Sequence, residues 1–271
     1  MEKALRGSSY VGQPLYGLLG GPVQRRIPAY ANTAGYSHEP DKVRERVRDL
    51  KEAGYRATKW YAQYGPAHGD EGIRKTVDLV RTIRETAGSD MKIMLDIWNS
   101  WDVPYTLKLA ECLKEYDVFW IEEPVIPDLI DSYVKLTTLS SVPITGGEHE
   151  YTRWGFKALL DRQAMHVYQP DPAWCGGISE TMKICALASA YDVKVALHCS
   201  LTSVGVHMSC ACSPALISLV EYLMIISEVS QFFLKNPVRA VDGYFTPPET
   251  TGTGLDLDEG KIETERELNF G

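Results

Sequence analysis

The chain has 271 residues, which is long for an ordinary domain and enough for one large core. Its 44% hydrophobic and 24% charged residues are typical of a globular protein, and no apolar run approaches the roughly 18 residues that a membrane span needs. A net charge of −8 without a lysine or arginine cluster argues against a nucleic-acid partner.

The first residues, MEKALRGSSYVGQ, lack the apolar stretch of a secretory signal. The six cysteines show neither paired spacing nor a C-x-x-C zinc pattern, and most lie in apolar segments. We therefore expect reduced, mostly buried thiols and a cytoplasmic protein.

Eight β-rich segments recur along the chain. They begin at Arg26, Arg56, Lys92, Val118, Val142, His166, Lys194 and Ser218. Most are separated by helix-type periodicity, as in Val43–Leu50, Ile73–Ile83, Tyr105–Leu113 and Ile178–Ala190. This alternation predicts a parallel α/β fold, and eight strands in about two hundred residues favour a closed (β/α) barrel.

An open, doubly wound sheet is the alternative architecture. Its glycine-rich phosphate turn would follow the first strand, whereas the LLGGP segment at Leu18–Pro22 precedes it. We interpret that segment as a turn.

Three acids close consecutive β-rich segments. Asp96 lies in KIMLDIW, Glu122 in FWIEEP and Glu148 in PITGGEHE, with twenty-six residues from each acid to the next. Neighbouring parallel strands lie about 4.8 Å apart, so carboxylates at three adjacent strand ends converge. The pattern predicts a site for a hard divalent cation.

The next strands add an acid–base pair. Asp171 ends the sixth β-rich segment and His198 ends the seventh, so we expect them within hydrogen-bond reach. A carboxylate that fixes the imidazole tautomer suits a general base. Glu221 is the corresponding acid on the eighth strand. Taken singly, Asp171 before Pro172 could be a turn former and His198 a structural residue.

Several motifs together resemble the enolase superfamily, in its mandelate racemase subgroup, and within it the acid-sugar dehydratases typified by L-rhamnonate dehydratase. They are GQPLYGLLGG, GPAHGDEGIRK, MLDIWNSWD, WIEEP, GGEHE, YQPDPAWCGGISE, LHCS, EYLM and TGTGLDLD. The resemblance implies a (β/α)7β modified TIM barrel. It further implies Mg2+ bound by Asp96, Glu122 and Glu148, a catalytic His198–Asp171 dyad assisted by Glu221, and substrate contact by His149.

The implied reaction removes the C2 proton of an aldonic acid, such as L-rhamnonate or an L-galactonate-like sugar. Mg2+ stabilises the resulting enediolate. His198 takes the proton and returns it to the departing 3-hydroxyl, which gives a 2-keto-3-deoxy acid. The small-molecule partner implied by the resemblance is therefore an acid sugar.

The second strand departs from the Lys-x-Lys pattern of the racemases. Lys59 and Tyr61 are two apart and share a strand face, so Tyr61 takes the place of the second lysine. A tyrosine with a pKa of about 10 is a poor base at neutral pH. One-base dehydration is therefore favoured, and we expect Lys59 to pair with the carboxylates or with a substrate oxygen.

Two further residues are candidates for substrate binding. His68 lies in the polar loop Gly65–Gly72, where a solvated turn is the simpler interpretation. Trp98 could line the pocket, although core packing is the default expectation for Trp98, Trp101 and Trp120.

Family members carry a capping domain of roughly a hundred residues before the barrel, and only MEKALRGSSYV precedes GQPLYGLLGG here. We therefore expect the cap to be missing, with a short lead-in at residues 1–25, the catalytic barrel at 26–245, and a tail at 246–271 that is solvated or packed outside the barrel. Exposed apolar surface beneath a missing cap predicts a homo-oligomer. The alternatives are a racemase or cycloisomerase of the same superfamily, and a catalytically silent or truncated barrel.

Overall fold

A computed structural model describes residues 11–264. Its centre is formed by eight parallel strands in chain order: β1 (Ile27–Asn32), β2 (Ala57–Tyr61), β3 (Lys92–Asp96), β4 (Val118–Glu122), β5 (Ile144–Gly146), β6 (Val167–Tyr168), β7 (Lys194–Val195) and β8 (Val220–Leu223). All eight β-rich segments identified in the sequence form strands.

A short helix, α1 (Leu15–Leu18), precedes β1. Seven helices then connect consecutive strands: α2 (Pro40–Glu52), α3 (Gly69–Ala87), α4 (Val103–Leu113), α5 (Ile130–Leu139), α6 (Thr152–Asp161), α7 (Ile178–Ala190) and α8 (Thr202–Ala211). After β8 follow α9 (Met224–Ser230) and a short strand, β9 (Tyr244–Phe245), which is antiparallel to β1.

Local sequence explains where the helices begin and which face they bury. Helix α2 has Pro40 in its first turn and buries Val43, Val47 and Leu50, which recur along one face. Helix α4 is capped by Asp102, whose side chain accepts a hydrogen bond from the backbone N–H of Tyr105. The apolar stripes of these helices therefore face the sheet.

The strand order is β7-β6-β5-β4-β3-β2-β1-β8, so β1 lies between β2 and β8. A backbone hydrogen bond of 2.9 Å from Val195 N to Leu216 O brings β7 close to the segment that enters β8. This sequential order confirms the (β/α)7β barrel and rules out the doubly wound sheet. Inside the barrel, a small apolar core lies below the polar strand ends; it consists of Tyr30, Ala57, Met94, Trp120, Ala196 and Leu219.

Strands β5 to β7 are shorter than their β-rich segments. Asp171 and His198 therefore lie in the loops after β6 and β7, and Glu148 lies beyond β5, rather than on the last strand residues. Around Asp171 the reason is chemical, since Pro170 and Pro172 have no N–H to donate to a ladder.

Part of the described segment after β9 makes backbone hydrogen bonds with other parts of the chain. Gly252 exchanges backbone hydrogen bonds with the segment that enters α1, and Lys235 N donates to Asp256 O at 2.9 Å. Within residues 11–264, no helix combines the length and apolar character that crossing a membrane requires.

Candidate active site

The carboxyl ends of the strands bring the polar residues to one end of the barrel. Asp96 and Glu122 are Cα partners across β3 and β4, and each is the last residue of its strand. Tyr61, the last residue of β2, is the partner of Asp96 across β2 and β3. The register of three neighbouring strands therefore places these side chains on the same side of the sheet.

Lys59 lies at the centre of this group with no exposed surface. Its Nζ is 2.9 Å from Asp96 Oδ2 and 2.8 Å from Glu221 Oε1, and it also contacts Glu122. Burial alone would lower the pKa of Lys59, but the three carboxylate charges outweigh burial and raise it. Lys59 is therefore a fixed cation in the polar centre of the barrel.

Asn32, at the end of β1, was not among the sequence candidates. Its Nδ2 donates to Glu221 Oε1 at 2.8 Å, and so links β1 to β8. The strand-end rule that selected Asp96 and Glu122 would also have selected Asn32, because it closes its strand in the same way.

Glu148 follows β5 through Gly147, whose φ of 108° is a conformation that favours glycine. Glu148 Oε2 is 3.5 Å from Nε2 of His198. Burial is the main cause that raises the pKa of Glu148 to about 7, and the charges of Glu123 and Asp96 add to it. Glu148 therefore faces the histidine that follows β7.

His198 and Asp171 form a hydrogen-bonded pair. Nδ1 of His198 lies 2.5 Å from Asp171 Oδ2, and Asp171 also accepts from the hydroxyl of Ser200 and from Ala173 N at 2.6 Å. Since an ionised carboxylate only accepts, Nδ1 carries the proton and Nε2 faces Glu148.

The charges around this pair determine its pKa values. Burial would lower the pKa of His198, but the charge of Glu221, the bond to Asp171 and the charge of Glu148 raise it to about 10. Burial would raise the pKa of Asp171, but its hydrogen bond with His198 and its other donors lower it. Asp171 is therefore ionised and stabilises a protonated His198.

A second histidine lies on the other side of Glu148. His149 Nδ1 is 2.7 Å from Glu123 Oε2 and 3.8 Å from Glu148 Oε1. The hydrogen bond with Glu123 is the main cause that raises the pKa of His149. Glu123 is a residue that sequence reasoning missed, because its neighbour Glu122 already satisfied the strand-end pattern.

The donor set fits a divalent cation. Six carboxylates gather here against one lysine and two histidines: Asp96, Glu122, Glu123, Glu148, Asp171 and Glu221. Burial and the charges of neighbouring acids raise the pKa of Glu122 although the charge of Lys59 lowers it, so one lysine does not offset the negative charge of the cluster. Buried carboxylate oxygens are the ligands that Mg2+ prefers.

Two ligand sets are considered, and they share Glu148. The predicted set is Asp96, Glu122 and Glu148, of which the register of β3 and β4 pairs the first two. Among the described residues, the ligand atoms that lie within 4.8 Å of one another belong to Glu123, Glu148 and His149. The second set includes an imidazole nitrogen, which suits a transition metal better than Mg2+.

Two other candidates, Tyr61 and His68, lie in different surroundings. The Tyr61 hydroxyl is 3.4 Å from Asn32 Nδ2, and burial raises its pKa, so it is neutral. His68 makes its contacts within its own loop, where it accepts from Gly65 N at 3.1 Å and packs edge-on against Tyr64.

The expectation of core packing is wrong for Trp98. It is 64% exposed, whereas Trp101 and Trp120 are buried. The backbone explains the difference. Trp98 has a left-handed φ of 47°, which is not a strand conformation, and its backbone N–H donates to Asp96 Oδ1. Its ring therefore lies at the rim beside the acids.

Residues 42–261 match the family model described as Enolase C-terminal domain-like. L-rhamnonate dehydratase of Saccharopolyspora erythraea is 38% identical over 256 residues, which cover 91% of this chain and 62% of that protein. A protein of Caldivirga maquilingensis that carries the same name provisionally is 40% identical over 264 residues, covering 96% of this chain and 59% of that protein. The chain thus spans about three fifths of the length of these relatives.

Among solved structures, the 3,6-anhydro-D-galactonate cycloisomerase from Zobellia galactanivorans superposes with a TM-score of 0.84 at 29% identity. The superposition covers 94% of this chain and 70% of that one. Since the family model covers most of the barrel, and the strand order and the relatives agree with it, the chain belongs to the Enolase C-terminal domain-like family.

Proposed function

We propose that residues 26–245 carry the active site of a Mg2+-dependent acid-sugar dehydratase that acts on L-rhamnonate or an L-galactonate-like aldonate. The observation that carries the proposal is the position of the His198–Asp171 dyad, whose Nε2 faces Glu148 at 3.5 Å. A base and a cluster of carboxylates thus meet where a substrate carboxylate and its α-proton would both be reached. The names of the two relatives favour the same chemistry.

The dyad provides both proton transfers. With the neighbouring acids uncompensated, the pKa of about 10 keeps His198 protonated, and the positive charge of a bound Mg2+ would lower that pKa and favour the neutral ring. In its neutral form His198 accepts the C2 proton at Nε2, and ionised Asp171 stabilises the imidazolium through Nδ1. The same Nε2–H then donates to the departing 3-hydroxyl, which leaves as water. Because Tyr61 is neutral and Lys59 is held by three carboxylates, no second base faces His198 from β2.

Asp96, Glu122 and Glu148 would hold the Mg2+, which when bound supplies positive charge to the substrate carboxylate as C2 loses its proton. Lys59 keeps Asp96, Glu122 and Glu221 oriented towards the barrel axis. His149, His68 and Trp98 remain proposed substrate contacts. A homo-oligomer and a cytoplasmic location likewise remain predictions.

The test is product formation from L-rhamnonate and L-galactonate with magnesium, followed in deuterium oxide for exchange at C2. We expect a 2-keto-3-deoxy acid from the parent chain. His198→Asn should abolish both elimination and exchange, since it removes the only proposed base. His166→Asn, which changes a histidine bonded to Ile144 N away from the dyad, is the matched control.

Each other outcome identifies an alternative. Exchange that persists in His198→Asn would refute the one-base mechanism. A lactone or an epimer in place of the keto acid would indicate a cycloisomerase or a racemase. Magnesium binding without exchange or product would favour a catalytically silent barrel.

A further inference from the structure

Glu123 is buried and unusually placed for a residue that follows a strand. It is 1% exposed and its φ is 42°, in the left-handed region that residues other than glycine rarely adopt. Asn99, which contacts it, has a φ of 64°. Such conformations persist where the surrounding structure fixes them, and they concentrate at functional sites.

The side chain of Glu123 is contacted from the loops after β3 and β5. Its Oε2 accepts from His149 Nδ1 at 2.7 Å and from Asn99 Nδ2 at 3.0 Å, while Gly147 N lies 3.4 Å from Oε1. Three donors from two loops therefore hold one buried carboxylate. Since that carboxylate accepts only, the proton of the neutral imidazole of His149 is on Nδ1.

The pair shares one feature with His198 and Asp171: in both, a buried carboxylate holds Nδ1. The rings face Glu148 through different atoms, since Nε2 of His198 lies 3.5 Å from Oε2 and Nδ1 of His149 lies 3.8 Å from Oε1. The His149 side chain is 30% exposed, so its ring is reachable from solvent. Its Nε2 is then the atom able to accept a hydrogen bond from a ligand.

We propose that Glu123 is the positioning residue of His149: it fixes the imidazole with Nδ1 protonated so that Nε2 accepts a hydrogen bond from a hydroxyl of the acid sugar. This inference rests on the proposed function for the identity of the ligand. The tautomer and orientation of His149 can be measured without turnover.

The first experiment therefore uses nitrogen NMR of the histidine rings in the full chain, at a pH high enough for neutral imidazole. The parent should show His149 as the Nδ1–H tautomer, identified by the loss of its signals in His149→Asn. Glu123→Ala should give a mixture of tautomers, and Glu123→Asp should restore part of the parent population. Glu150→Gln is the matched control, because the Glu150 side chain accepts a hydrogen bond from Tyr151 N of its own loop.

The second experiment compares steady-state kinetics with L-rhamnonate and magnesium binding by calorimetry. Glu123→Ala should lower kcat/KM about ten- to a hundredfold, mainly through KM, while magnesium affinity changes less than about threefold. The proposal is overturned if Glu123→Ala leaves the His149 tautomer unchanged. It is also overturned if the parent is active and Glu123→Ala has the same KM as the parent. If the parent lacks turnover but its His149 tautomer depends on Glu123, the dehydratase assignment fails and the positioning role stands.

Discussion

Lys59 shows how strongly a single residue can determine the stability of this site. Its ammonium has no exposed surface and contacts three carboxylates, so removing it leaves negative charges buried and uncompensated. Breaking such a buried cluster from one side costs about 3–5 kcal/mol. We expect Lys59→Met to lower the free energy of unfolding by that amount in magnesium-free buffer.

Urea unfolding of the parent and the variant would measure the difference. Lys42→Met is the control, because Lys42 forms an exposed pair with Glu45 on α2, and such pairs contribute about 0–1 kcal/mol. Equal losses in the two variants would show that Lys59 is not an essential counter-charge.

At the scale of elements, α8 is buried on nearly every side and contains His207. The ring has no exposed surface, stacks on Tyr16 of α1 and accepts from Tyr16 N at 3.4 Å. Burial lowers the pKa of His207 to about 4. The neutral ring is thus part of the contact between α8 and α1.

This shift predicts a pH dependence of stability. An unfolded histidine binds a proton near pH 6.5, whereas folded His207 resists protonation until about pH 4. The contribution of neutral His207 to the free energy of unfolding is therefore fully present above pH 6.5. It decreases by about 3 kcal/mol as the pH falls towards 4. His207→Gln should flatten the pH dependence of the urea midpoint in this window, and parallel curves would contradict the assignment.

The elements also show which features a sequence can predict. Helices α2 and α3 are predictable because one face is apolar and the other is charged. Helices α4 and α7 are predictable because buried residues recur at three- and four-residue intervals. Helix α8 carries no such pattern, because it is buried almost all round. The β-rich composition predicts that the eight strands exist. It does not predict where β5 to β7 end, because the ends depend on hydrogen bonds between strands.

Within the site, Asp96 and Glu122 were predictable because they end their strands in register. Glu123 and the exposure of Trp98 were not, since both depend on left-handed backbone after a strand. The contact of Lys59 with Glu221 joins residues far apart in the chain, and only the closure of the barrel brings them together.

For the whole molecule, the excess of buried carboxylates predicts linkage between magnesium and stability. A ligand at a hundred times its Kd stabilises by about 2.7 kcal/mol, which in a chain of this size raises Tm by about 5–10 °C. Melts with magnesium and with chelator would measure the shift. Asp96→Asn and Glu148→Gln should abolish it, whereas the exposed Glu45→Gln should retain it.

The same melts decide between the two ligand sets. His149→Asn should keep the magnesium shift if Asp96, Glu122 and Glu148 are the ligands. Loss of the shift in His149→Asn, with retention in Asp96→Asn, would assign the metal to Glu123, Glu148 and His149 instead.

The pairing of β1 with β8 also constrains the order in which the strands can pair while the protein is synthesised. Tyr30 is the register partner of Glu221. One edge of β1 therefore stays without its β8 partner until a segment almost two hundred residues later has been synthesised. Early in translation, the nascent chain can pair β1 with β2 and extend a sheet towards β7, but Asn32 has no Glu221 to bond. Because contacts so distant in sequence form slowly, the group of candidate site residues is completed only after β8 has left the ribosome. A partly made chain therefore exposes an open sheet edge, at which β1 must be kept from pairing with other chains.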